Sequence, residues 1–144
     1  MNTSMNNKST ITVSVDASYK EGKAACAYYI KHECFVVKDS EYIGKVSGSV
    51  EAEYLGILRA IKRMLLEIRD RNIITLYLTC DCIPAHELFR SWLTSSENRA
   101  SMKPIKNINI QHIDAHSGIN SPRQYINNWC DKESRKCLND NMDL

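Results

Sequence analysis

Residues 49–68, SVEAEYLGILRAIKRMLLEI, change the period of the chain. Tyr54, Leu58, Ile61, Leu65 and Ile68 recur at alternating steps of four and three, which draws one apolar stripe along a long helix. Ser49 suits its N-cap. Upstream, the pattern is that of strands. Ile11–Val15, Ala24–Ile30 and Cys34–Val46 are candidates, joined by polar links of hairpin length at Tyr19–Lys23 and Lys31–Glu33, so an antiparallel meander is expected. Downstream, Ile73–Thr79 is a short run rich in β-branched residues, and a helix from about Pro84 to Leu93 follows it. Ile105–Ile113 alternates Ile with Lys, Asn and Gln as an edge or half-exposed strand does. Ser121-Pro122-Arg123-Gln124 then opens a helix expected over Pro122–Asn139. Three antiparallel strands followed by crossovers imply an α/β fold, a five-stranded mixed sheet with helices on its faces.

The 144 residues fit one domain, expected over 11–139, with a disordered arm at 1–10 and a flexible tail at 140–144. A net charge of +2 and a pI near 8.2 exclude a broad phosphate-coating surface, so any nucleic acid is gripped focally. Six cysteines stand in a chain whose start, MNTSMNNKST, is polar throughout, and free thiols in an intracellular, cytoplasmic protein are expected. No apolar run approaches a membrane span, and a monomer is expected.

Asp16 closes the first strand candidate and Asp81 follows the fourth, in Thr79-Cys80-Asp81-Cys82. Carboxyl ends of strands are where open α/β sheets bind ligands, so the two acids can share one rim. Each alone reads more readily as a strand terminator or turn residue. In the first turn of the long helix, Glu51 shares a flank with Lys62 and Arg69 and reads as solvated. Glu53 shares its flank with Ile57 and Met64, towards the sheet edge.

VSVDAS, EAEYLGILRAI, LYLTCDC and AHSGI followed by NNWCDKESRK together resemble the successive motifs of the type 1 ribonuclease H family, over about Ile11–Lys136. The resemblance implies a ribonuclease H-like fold and hydrolysis of the RNA strand of RNA/DNA hybrids. The family's four metal-binding acids fall on Asp16, Glu53, Asp81 and Asp131, and its mobile histidine on His116. Its two-metal mechanism implies a pair of Mg²⁺ or Mn²⁺ ions and products with 5′-phosphate ends. Chemistry agrees with that set. Two carboxylates about 4 Å apart repel by roughly 4 kcal/mol at an effective dielectric of 20, and all-oxygen ligands suit hard cations.

Substrate contacts are expected from Ser49 and from backbone near Ala17 and Ser18, reading RNA 2′-hydroxyls. The chain departs from the family in three places. His116 and Asp131 are fifteen residues apart where the family has about ten, Ile83 stands where it often has Gln, and Thr94–Lys106 carries only Arg99, Lys103 and Lys106 where some members have a basic protrusion. Trp92 reads as packing. Cys80 and Cys82 lack a second Cys or His pair at zinc spacing, so no zinc site is expected from them. Two alternatives stay open: a nuclease of the same fold acting on DNA, resolvase- or transposase-like, and a catalytically silent hybrid-binding or protein-interaction module.

Overall fold

The computed structural model describes residues 10–69, 71–112 and 122–142. Its first element, β1 (Thr10–Lys20), turns through Glu21 and Gly22 into β2 (Lys23–His32), which pairs antiparallel with it. Both turn residues have positive φ, 54° and 78°, as a two-residue hairpin of type I′ requires, and Gly22 adopts this without a Cβ penalty. The link is therefore shorter than expected, and Asp16 lies within β1 rather than at its end.

β3 (Phe35–Lys45) completes the meander. The chain continues as α1 (Ser49–Glu67), β4 (Ile73–Cys80), α2 (Ile83–Trp92), α3 (Ser96–Ser101), β5 (Ile105–His112) and α4 (Pro122–Met142). Spatial order across the sheet is β3-β2-β1-β4-β5, with β4 parallel to both β1 and β5. The expected five-stranded mixed sheet is present. Where a basic protrusion was not expected, the chain forms the short α3. The last helix reaches Met142, three residues beyond the expected end.

One face of the sheet carries Ile11, Val13 and Val15 of β1, Cys26, Tyr28 and Ile30 of β2, and Leu76, Leu78 and Cys80 of β4. Ile57, Ala60, Ile61 and Met64 of α1 and Ala85 and Phe89 of α2 pack against them. The buried stripe of α1 is thus rotated from the expected one, and Tyr54, Leu58 and Leu65 lie at its margin. Small residues explain the rotation. Ala52, Gly56 and Ala60 face the strands, and a Cβ at Gly56 would come within 3.1 Å of Cys26 Cβ and 3.3 Å of Val15 Cγ1. The helix sits closer to the sheet than a larger side chain would permit.

Gly48, not Ser49, holds the N-cap position of α1, and the backbone N–H of Ser47 donates to Glu51 at 3.0 Å. Farther along α1, Arg59 pairs with Glu41 of β3 at 2.9 Å. Tyr28 OH donates to the same carboxylate at 2.5 Å, tying helix and meander together. On the opposite face, α4 crosses β1 and β2 on Cys130, Ser134 and Leu138, all buried at four-residue spacing. Trp92 stacks on Phe89 at 5.5 Å, a packing role. All six cysteines are free. Among the described residues no helix is long and apolar enough to cross a membrane.

Candidate metal centre

Parallel pairing of β1 with β4 ends at Ser14 and Thr79. Thr79 Oγ1 donates to Ser14 Oγ at 2.8 Å, closing this last rung. Two residues further along each chain stand Asp16 and Asp81, while β1 continues against β2 alone. The acids therefore lie level on one rim, where the two strands have stopped pairing.

α1 brings the third acid over this rim. Glu53, one turn before Gly56, reaches the sheet because the helix approaches it so closely. Ala17 N–H donates to Asp16 Oδ1 at 2.9 Å and to Glu53 Oε1 at 3.3 Å, so one amide binds two carboxyls. Burial, reinforced by the charges of Asp81 and Asp131, pushes the Asp16 carboxyl up to about 7. Burial and the charges of Asp16 and Asp81 push Glu53 up to about 9. Both carboxyls are therefore held well above the ordinary carboxylate range, by burial first and then by the neighbouring negative charges. Such a pair is electrostatically incomplete, and a cation would relieve it.

Asp131 approaches from α4 on the other side of β1. Its charge bears on Asp16, and its carboxylate is paired with Arg135 one turn later. Ser134 secures that turn: wholly buried, it donates to the Asp131 carbonyl at 3.0 Å and shares a 2.8 Å hydrogen bond with Ser18 Oγ. Ser134 belongs to the NNWCDKESRK motif, but a polar residue in a buried stripe escapes an apolar pattern, so its burial against β1 was not foreseen.

Of the remaining expected residues, Ser49 is exposed in the first turn of α1. Ala17 N–H and Ser18 Oγ are engaged with Glu53, Asp16 and Ser134. Ile83 is 54% exposed at the start of α2, beside Asp81. His116 lies outside the described residues. Cys80 was not foreseen here. It is buried, and its Sγ lies 3.6 Å from Glu53 Oε2. Glu53, Cys80 and Asp81 each offer a ligand atom, all within 4.8 Å of one another. Alternation along β4 carries the signal: Leu76, Leu78 and Cys80 share the face that meets α1.

No family model and no curated protein matches the chain. Solved structures do. LC11 ribonuclease H1 in complex with an RNA/DNA hybrid superposes with a TM-score of 0.67 at 16% identity, covering 92% of this chain and 99% of that one. Ribonuclease H1 from Halobacterium salinarum gives 0.64 at 15% identity over 91% and 98%. The N-terminal ribonuclease H domain of a Mycobacterium tuberculosis protein, solved as a fusion with maltose-binding protein, gives 0.63 at 12% identity over 90% and 94%. At such identities the likeness is one of fold: the chain has the ribonuclease H fold.

Proposed function

We propose that this chain is a type 1 ribonuclease H, a divalent-metal endonuclease cutting the RNA strand of RNA/DNA hybrids and leaving 5′-phosphate ends. The observation carrying this reading is the convergence of Asp16, Glu53 and Asp81 on one rim, with Asp131 bearing on Asp16 from the other face. Oxygen donors from these acids suit two Mg²⁺ or Mn²⁺ ions. Bound there, such ions would supply an activated water and stabilise the departing 3′ oxygen of the scissile phosphate.

The protein's own groups have separate tasks. Cations bound there would displace protons from Glu53 and Asp16, and Ala17 N–H keeps both carboxyls oriented. Arg135 holds Asp131 until a cation competes for it. His116, placed by sequence alone, serves proton transfer or product release. Ser49 and backbone groups near Ala17 and Ser18 are the proposed contacts to RNA 2′-hydroxyls. A monomer in the cytoplasm fits this reading.

Ile83 favours the second reading, a nuclease of this fold that prefers DNA, because an apolar side chain replaces a minor-groove donor beside Asp81. Incubation of matched RNA/DNA hybrid, duplex RNA and duplex DNA in Mg²⁺ or Mn²⁺ separates the two. Cleavage of hybrid that disappears in Asp16→Asn is expected. Cleavage of duplex DNA alone would establish the alternative, and hybrid binding with no cleavage of any substrate would leave a silent module.

A further inference from the structure

The sequence pairs Cys80 with Cys82 around Asp81, but the fold pairs Cys80 with Glu53. Cys80 is 3% exposed at the end of β4 and lies under the first turns of α1. Its Sγ is 3.6 Å from Glu53 Oε2, and an Asp81 oxygen completes a group of three donors within 4.8 Å. Cys82, at the N-cap position of α2, is outside that group.

These separations have a chemical meaning. A tetrahedral Zn²⁺ with a sulfur ligand at about 2.3 Å and an oxygen ligand at about 2.1 Å sets them about 3.6 Å apart. The Glu53–Cys80 separation already equals that span. Asp81, exposed just past the end of β4, offers the third ligand atom within 4.8 Å of the other two, leaving the fourth position to water. Magnesium takes no benefit from sulfur, whereas zinc and cadmium do.

We infer that Glu53, Cys80 and Asp81 form a binding site for a thiophilic divalent cation, Zn²⁺ in kind, that overlaps the acidic rim and excludes the hard ions from it. Coordination converts the Cys80 thiol to a thiolate. The thiol proton passes to solvent as the sulfur–metal bond forms. Inhibition by zinc rests on the nuclease reading above, but binding does not.

Cadmium provides a readout independent of catalysis, through the ultraviolet charge-transfer band of a cadmium–thiolate bond. The whole reduced chain is titrated with Cd²⁺, and Zn²⁺ affinity is measured by competition with a chromophoric chelator, for wild type, Cys80→Ser, Cys80→Ala and Cys82→Ser. Circular dichroism verifies that each variant is folded. The band is expected in wild type and Cys82→Ser and absent from both Cys80 variants, with Zn²⁺ affinity lowered at least about tenfold in the latter. A band that survives both Cys80 substitutions, or that vanishes with Cys82→Ser, overturns the site. In Mg²⁺-dependent cleavage of hybrid, zinc should inhibit wild type at concentrations at least about tenfold below those inhibiting Cys80→Ser, each relative to its own uninhibited rate. Equal sensitivity overturns the overlap with the hard-ion site. A cadmium band in a protein that cuts nothing overturns the nuclease reading and supports the site, while cleavage without the band does the reverse.

Discussion

Without a cation, Glu53 and Asp16 retain protons that isolated carboxyls release near pH 4. Below that pH the folded and unfolded states are both protonated, and the raised values make no difference. Between about 4 and 9 the unfolded chain ionises first, so the metal-free fold loses stability as pH rises through this window. Glu53→Gln and Asp16→Asn should therefore abolish cleavage while stabilising the metal-free protein at pH 8.5, by on the order of 1–2 kcal/mol, with little change at pH 4.5. Urea unfolding in chelator at the two pH values measures this. A Glu53→Gln midpoint at or below wild type at pH 8.5 contradicts it. Ile83 gives a second expectation at this scale. Ile83→Gln restores a donor next to Asp81, and a severalfold lower KM for hybrid, with cleavage of duplex RNA unchanged, is expected in steady-state assays.

The close approach of α1 to the sheet depends on a residue that helices ordinarily disfavour. Gly56 costs about 1 kcal/mol of helix propensity relative to Ala, yet an alanine methyl would press on Cys26 and Val15. Gly56→Ala should lower stability by roughly 1–2 kcal/mol and, by lifting Glu53 away from Ala17, weaken Mg²⁺ binding severalfold. Thermal melts and calorimetric titration test both effects. An unchanged Mg²⁺ affinity in a folded variant would show that Glu53 does not depend on this packing. The same helix shows what the sequence made legible. Its existence, and the assignment of Glu53 rather than Glu51 to the sheet side, follow from helical geometry. Its rotation does not, because a stripe drawn through the largest apolar residues misses a face built on Ala52, Gly56 and Ala60. β1 is similar: Asp16 was found at the rim, but strand length is set by the tertiary pairing with β2, which continues after β4 has departed. The contacts of Ser134 with Ser18 and of Cys80 with Glu53 are legible only when register and helix packing place them.

Across the whole molecule, the proposed cation ligands are brought together only by folding and are scattered in the unfolded chain, so Mg²⁺ should stabilise the folded state. Occupancy at 100 times Kd contributes about 2.7 kcal/mol, and the rise in Tm over chelator should be larger at pH 8.5 than at pH 6, where protons compete. A rise independent of pH would argue against Glu53 and Asp16 as ligands. The positive charges of the 94–106 segment lie elsewhere. Arg99, Lys103 and Lys106 line a recess with Ile105 at the start of β5, at the opposite end of the sheet from the acidic rim. Hybrid affinity should accordingly be modest and lose no more than about tenfold between 50 and 200 mM salt, since few phosphate contacts release few counterions. Fluorescence anisotropy across that range would refute this with a steeper dependence.

The connection of the sheet also orders the events of synthesis. Asp16, Glu53 and Asp81 come together on elements that emerge early from a ribosome, whereas Asp131 arrives with α4, after the other elements. Three acids of the proposed centre thus precede α4 in the chain, and the fourth is carried by α4 itself. The docking of α4, through the wholly buried Ser134 against Ser18, is then the event that completes both the sheet's second layer and the set of carboxylates. On the proposed reading, the last helix is thus what couples the closing of the fold to the completion of the metal centre.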